Sequence, residues 1–165
     1  MTREGEKQVI RNKMKPGDLG AIVKLHGEFY YENYGFDATF EPYVAQPMSE
    51  FVLKGSDREC LWIVEDEGMV RGSIAIVEHE GDVAQLRWFI LDDQTRGKGY
   101  GRALLESAIE FCKEKNYERI ILWTVSQLDQ AIKLYRLNGF ELAEEVEHDL
   151  WGNQLIEQRF DLKLK

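Results

Sequence analysis

Two stretches of this chain carry residues whose types and spacing could do chemistry. The first is Arg96-Gly97-Lys98-Gly99-Tyr100-Gly101-Arg102. An apolar run over 86–91 precedes it and an amphipathic run over 103–112 follows it. A strand that enters a glycine-rich turn and then opens a helix can hold a phosphate. Successive backbone N–H groups point into the turn, and the helix N-terminus adds partial positive charge. Arg96, Lys98 and Arg102 bring full charges to the same place, in a chain whose net charge is −9. The second stretch is the strand that leads into the turn. Alternation predicts Val83, Gln85, Arg87 and Phe89 on one face and Ala84, Leu86, Trp88 and Ile90 on the other. A guanidinium on a buried central strand needs a partner. Either Arg87 forms a structural salt bridge with a carboxylate of the first helices, or it is a bidentate clamp for a ligand's carboxylate.

Glycine spacing decides which phosphate motif this is. Gly97, Gly99 and Gly101 make G-x-G-x-G, not the G-x-G-x-x-G of dinucleotide-binding turns, and residues 120–123 are apolar where an acidic ribose partner would stand. The G-x-x-x-x-G-K-[ST] loop is absent. What fits is Arg96-x-x-Gly99-x-Gly101, a Q/R-x-x-G-x-G/A pattern. At this point the chain resembles the GNAT acetyltransferase superfamily, in which such a loop grips the pyrophosphate of acetyl-coenzyme A. A second stretch, Ala131-Ile132-Lys133-Leu134-Tyr135-Arg136-Leu137-Asn138-Gly139-Phe140, looks like the family's A-x-x-L-Y-x-x-x-G-F.

The elements that must position these residues follow from periodicity and turn chemistry. Residues 7–14 read as a first strand, ended by Pro16-Gly17. Asp18 is expected to cap a helix with apolar residues at helical spacing, ended by Gly35. Thr39 caps a second helix, in which Pro42 fits only a first turn. Residues 60–65, 69–78 and 83–91 read as three antiparallel strands joined by short turns. A helix over 99–115 crosses to a buried strand over 119–125, which must therefore lie parallel to the strand before it. A helix over 128–138 and a closing hairpin across Gly152-Asn153 complete the chain. The order β-α-α-β-β-β-α-β-α-β-β is similar to the GNAT fold over nearly the whole chain. That resemblance implies a mixed α/β (α+β) architecture: a mostly antiparallel seven-stranded sheet with about four helices, splayed at the cofactor site.

Length and composition set bounds. One hundred and sixty-five residues suit one domain, residues 1–165, with a substantial core. The acidic balance argues against nucleic acid and against an anionic membrane surface as partner. Cys60 and Cys112 read as small hydrophobes and make neither a disulfide framework nor a metal site. With no apolar signal region and no run long enough to span a bilayer, a reducing cytoplasm is the expected location.

The family resemblance assigns roles. Acetyl-coenzyme A would lie between two diverging strands, with its diphosphate on residues 96–102 and its arm and acetyl carbonyl along the backbone of Phe89, Ile90 and Leu91. Tyr135 would give a proton to the departing thiolate; a phenol near pKa 10 beside a thiol near 8.5 suits that task. Many members place an asparagine three positions before the motif's alanine. Leu128 stands there, so Ser126 or Gln130 would have to supply the contact. His26, Tyr30, Tyr34, Gln85, Arg87 and Trp123 would form the acceptor side. No residue announces itself as the base; Glu32 leads, with Glu41 and Glu78 behind. His26-Gly27, Tyr30, Tyr34-Gly35, Gln85-Leu86-Arg87 and Leu122-Trp123-Thr124 also resemble the acetyltransferase half of bacterial fusions with a MarR-type regulator. That implies a bacterial protein with a small-molecule or amino-acid-like acceptor.

The expected activity is N-acetylation of a small primary amine by direct attack in a ternary complex. Acetylation of a protein or peptide amine, or a non-catalytic acyl-coenzyme A-binding module, are the alternatives. Dimers, including homodimers, are common in such folds, and the sequence leaves the oligomeric state open.

Overall fold

The computed structural model describes residues 9–165. The elements run β1 (Val9–Arg11), α1 (Asp18–Tyr34), α2 (Phe40–Lys54), β2 (Cys60–Asp66), β3 (Met69–Glu78), β4 (Val83–Leu91), α3 (Tyr100–Glu114), β5 (Arg119–Val125), α4 (Asp129–Leu137), β6 (Glu141–Leu150) and β7 (Asn153–Lys163). This is the order expected from the sequence. The strands form one sheet in the order β1-β2-β3-β4-β5-β7-β6, in which β4 and β5 are the parallel pair.

Helices cover both faces of the sheet. On one face, Leu104, Leu105, Ala108 and Cys112 of α3 and Tyr135 of α4 pack on Ile74, Ile76, Ala84, Leu86, Ile120 and Leu122. On the other, Ile22 of α1 and Phe40, Val44 and Met48 of α2 pack on Leu61, Ile63, Ala75 and Trp88. Strands sandwiched in this way read as apolar runs, because neither face meets water. The edge strand β6 is exposed along most of its length and carries Glu141, Glu144, Glu145, Glu147 and Asp149. Charges on an edge discourage pairing with another chain.

Local details differ from expectation in four places. Residues 7 and 8 of the first expected strand lie outside the described residues, and the described part closes at Arg11. Asp18 is not the helix cap. Gly17 holds that position, while Asp18 is buried in the first turn, accepting Arg11 Nη1 and Nη2 at 2.8 Å each and Lys15 N at 2.6 Å. The last hairpin turns at Trp151-Gly152, one residue earlier than expected. Both turn residues have positive φ, 53° and 80°, as a two-residue hairpin turn of this kind demands. Finally, β4 does not alternate throughout.

That departure follows from a β-bulge. Opposite β3, Ser73 pairs with Ile90 and Ala75 with Arg87, so Trp88 and Phe89 face a single residue. Trp88 takes φ 50°, rare for so bulky a residue, and Ser73 Oγ donates to its carbonyl at 2.6 Å. Beyond the bulge the faces exchange. Ala84 and Leu86 belong to the α3/α4 core, whereas Trp88 joins the α1/α2 core and Phe89 and Leu91 turn back to α3/α4.

Candidate active site

The sheet opens where β4 and β5 part. They pair over only three positions, Val83–Arg119, Ala84–Ile120 and Gln85–Ile121. Beyond Gln85 the β5-facing edge of β4 has no strand partner, although β4 runs on to Leu91 and β5 to Val125. Unpaired main-chain groups on such an edge are ready to bind an extended polar chain.

The glycine turn closes the far end of that edge. Asp92 N donates to Arg71 O, and Arg71 Nη1 reaches back to Asp92 at 3.1 Å. The buried Thr95 ties the turn through its amide, which donates to both Asp92 O and Asp92 Oδ1. Gly97 and Gly99 have φ of 75° and 84°, a conformation side-chain-bearing residues rarely adopt. A Cβ at either would meet no protein atom within 4 Å, so both backbones face open space. Gly99 is the N-cap of α3, whose first amides complete an anion cradle. Residues and geometry together fit a pyrophosphate.

The cations there behave differently from one another. Arg96 fastens the loop: its Nε donates to Leu91 O at 3.2 Å, Nη1 pairs with Asp93 at 3.1 Å, and the guanidinium lies 4.7 Å over the Phe29 ring. Arg102 pairs with Glu106, one helical turn on, while Lys98 is exposed. Tyr100 and Gly101 begin the helix.

Where the strands diverge, a cavity of about 130 Å³ opens. Gln85, Arg87 and Phe89 of β4, Trp123 and Thr124 of β5, Glu157 of β7 and Tyr135 of α4 all line it. So do His26 and Tyr30 of α1 and Phe40 and Tyr43 of α2, with Trp151 from the β6–β7 turn. The volume equals roughly four water molecules at ~30 Å³ each.

Tyr135 is buried, its ring 6.0 Å from that of Phe89, 5.8 Å from Phe140 and 6.3 Å from Phe160. Burial pushes its phenol above the ordinary value, so it keeps its proton at neutral pH. The same holds for Tyr30. His26 is 4 % exposed; its Nδ1–H donates to Ile22 O at 2.8 Å, and burial lowers its pKa to about 4. It is a neutral imidazole.

Arg87 lines the cavity and forms no ion pair among the described residues. Its guanidinium lies 5.2 Å over the Trp88 ring and 5.9 Å over that of Tyr43, whose hydroxyl it approaches. The structural salt bridge considered above is therefore not formed. Glu157 of β7 lines the same cavity, and burial raises its pKa.

The other expected site residues fall elsewhere. Tyr34 packs against Phe29, Tyr30 and Phe36 without lining the cavity. Ser126 donates its amide to Ile156 O, and Gln130 lies exposed on α4. Ile90 is buried beside Leu91 at the end of β4. Glu32 is exposed on the outer side of α1, in a different depression with Lys24, Glu28 and Asp93. Glu78 is ion-paired with Lys54 at 2.6 Å, also away from the cavity.

Among the lining residues that sequence reasoning missed are Tyr43, Trp151 and Glu157. A signal existed for one of them. Alternation along the last strand puts Glu157 on the same face as the buried Leu155. Trp151 gave none, because only the tertiary fold brings its turn to α1 and α2. There Asp37 N donates to Trp151 O at 2.9 Å, and Asn153 Nδ2 to Gly35 O at 3.2 Å.

Comparison with known proteins bears on the same site. Residues 21–140 match the model of the acetyltransferase (GNAT) family. An uncharacterised N-acetyltransferase of Escherichia coli, YjgM, is 32% identical over 137 residues, 80% of this chain and 81% of the relative. The N-acetylaspartate synthetase of Xenopus tropicalis is 37% identical over 105 residues, 61% of this chain but 39% of the relative. The chain thus spans well under half the length of those synthetases. Among solved structures, yncA of Salmonella typhimurium, determined with its cofactor acetyl-CoA, superposes with a TM-score of 0.73 at 19% identity. The overlap covers 96% of this chain and 95% of the other. With the family's glycine loop ending an unpaired strand edge, this chain belongs to the acetyltransferase (GNAT) family.

Proposed function

We propose that the chain N-acetylates the primary amine of a compact, carboxylate-bearing acceptor such as an amino acid, by direct attack in a ternary complex. The observation that carries this is Arg87, a guanidinium lining a small cavity with no carboxylate partner among the described residues. A half-buried cation of that kind favours an anionic ligand, and its planar fork suits a carboxylate held by two hydrogen bonds. The relatives named N-acetylaspartate synthetases and the resemblance to the acetyltransferase half of MarR-type fusions support the same acceptor class. A peptide acceptor would need an open groove, whereas Trp151 and the α1/α2 aromatics wall this cavity in.

Acetyl-coenzyme A supplies an activated acetyl thioester. Residues 97–102 and the first amides of α3 would hold its diphosphate, and the unpaired edge of β4 at Phe89 to Leu91 its arm. An amide on that edge beside the acetyl carbonyl would stabilise the oxyanion of attack. Tyr135, protonated at neutral pH, supplies a proton to the departing sulfur.

The test is a free-thiol release screen over amino acids, polyamines, aminoglycosides and peptides, with wild-type protein and Arg87→Ala. Turnover with carboxylate-bearing amines, and an acceptor KM raised about 100-fold in a normally stable Arg87→Ala protein, is expected for loss of a charged hydrogen-bonded contact. Turnover confined to polyamines or peptides would refute the acceptor class.

A further inference from the structure

The acetyltransferase reading leaves one requirement without a residue. An amine that enters as an ammonium ion cannot attack a carbonyl until it loses a proton. Of the carboxylates considered from sequence, Glu32 is exposed outside the cavity and Glu78 is paired with Lys54. Glu41 is exposed and does not line the cavity either. His26 lines it, but as a buried imidazole too weak as a base to take up a proton near neutral pH.

We propose that Glu157 is the general base of the reaction, taking the acceptor's ammonium proton at the β7 wall of the cavity while Arg87 holds the acceptor's carboxylate at the β4 wall. The two groups are the cavity's opposite charges, and they do not neutralise each other. A zwitterion placed between them satisfies both. Glu157 is anchored by two neighbours: β7 pairs it with Val125 on β5 and with Val146 on β6. Its side chain is 15 % exposed, and its titratable neighbour is His148 of β6, whose Nε2 lies 3.6 Å away. Tyr43 of α2, whose hydroxyl feels both Glu157 and Arg87, lines the same cavity, as does the Arg87 guanidinium of β4. Burial raises the carboxyl above its ordinary range, which brings its basicity closer to neutral pH.

The proton balance is complete. The acceptor R–NH3⁺ gives one proton to a Glu157 carboxylate oxygen, which later passes it to solvent. The nitrogen lone pair forms the C–N bond, and the C–S bond breaks with its electron pair on sulfur. Tyr135 protonates that sulfur and regains a proton from the attacking nitrogen. The products are the amide and the free thiol.

The inference rests on the acetyltransferase reading, and three measurements on the full-length protein separate the two. Glu157→Gln keeps shape and hydrogen bonds but cannot accept the proton. Its kcat should fall ~10²–10⁴-fold, the usual contribution of a general base. Wild-type kcat/KM should fall on an acidic limb as Glu157 takes up a proton. In Glu157→Gln that limb should vanish, leaving a rate that climbs with pH as free amine appears. Carbon-13 NMR of the protein without acetyl-coenzyme A should show one glutamate carboxyl titrating above the rest, absent from Glu157→Gln. Acetyl-coenzyme A binding and melting temperature should be unchanged in the variant, showing that it folds. A Glu157→Gln protein that keeps both its turnover and its acidic limb overturns the base assignment while leaving the acetyltransferase intact. So does transfer of those effects to His26→Gln. Wild-type protein that releases no thiol with any amine overturns the activity itself.

Discussion

Tyr135 shows how much one residue's chemistry depends on its surroundings. A tyrosine on an amphipathic helix is usually core, and this one is core as well: it packs against Phe89, Phe140 and Phe160. The same apolar shell that packs the ring holds the phenol protonated, which suits a group that must give up a proton on demand. Replacing Tyr135 by Phe keeps the packing and removes the proton. We expect kcat to drop at least ~10²-fold, with acetyl-coenzyme A affinity within about twofold of wild type by calorimetry, because no binding contact to the diphosphate is lost. A proportional loss of affinity would instead make Tyr135 a wall of the cofactor site. Its motif made Tyr135 legible in the sequence. Glu157 carries no motif, and an alternating strand offers a carboxylate on one face at many positions. Only the splay of β4 from β5 shows that this one meets a cavity rather than water.

At the scale of elements, the strand, turn and helix from β4 to α3 act as one unit. Ser73 anchors the bulge through the Trp88 carbonyl, the bulge redirects the strand, and Thr95 pins the turn to Asp92. The glycines within the turn are not equivalent. At Gly99, φ is 84°, and a β-branched residue there costs on the order of 1–3 kcal/mol of strain while moving the first amides of α3. Gly101 lies in the helix with ordinary φ, and a Cβ there would stand 3.4 Å from Leu91 Cδ1, a normal contact. Gly99→Val should therefore lose acetyl-coenzyme A binding by calorimetry, whereas Gly101→Ala should bind and melt at or above the wild-type temperature. Equal loss from both would mean that space, not backbone conformation, is what the turn needs. The sequence revealed the turn but not the bulge. Strict alternation assigned Trp88 to the wrong face, because a bulge is a relation between two strands and leaves no mark on either alone.

For the whole molecule, two cores share one sheet, and strands β2 to β5 contribute to both. We expect the chain to unfold as a single domain: far-ultraviolet dichroism and tryptophan fluorescence should give coincident denaturant transitions. Two separated transitions would show that the α1/α2 layer melts independently. Acid should weaken the fold through His26. Its pKa falls from 6.5 to about 4 on burial, so between those values the unfolded chain binds a proton that the native chain refuses. Stability is then full above pH 6.5 and declines toward pH 4, by about 3 kcal/mol from this group. Glu157, with its pKa raised, acts in the opposite sense. Asp18, held low by Arg11 and the Lys15 amide against the effect of burial, contributes stability that is full above the ordinary carboxylate range and is lost only below it. The comparison is thus between wild type and His26→Gln. A pH-stability slope no shallower in the variant would mean that His26 is not the buried group responsible.

The amino-acid sequence by itself determined the element order, the parallel crossover between β4 and β5 and the glycine turn, and it pointed to Tyr135 as a candidate proton donor. Each is local, fixed by periodicity, glycine placement or a short motif within about forty consecutive residues. Tertiary structure decided that Arg87 has no carboxylate partner among the described residues, and that residues of α1, α2, β4, β5, α4 and β7, with Trp151 from the last hairpin, line one cavity that holds both Arg87 and Glu157. Those facts join residues from six different elements. They depend on how far two strands diverge, which follows from the packing of both helical layers at once and not from any one segment.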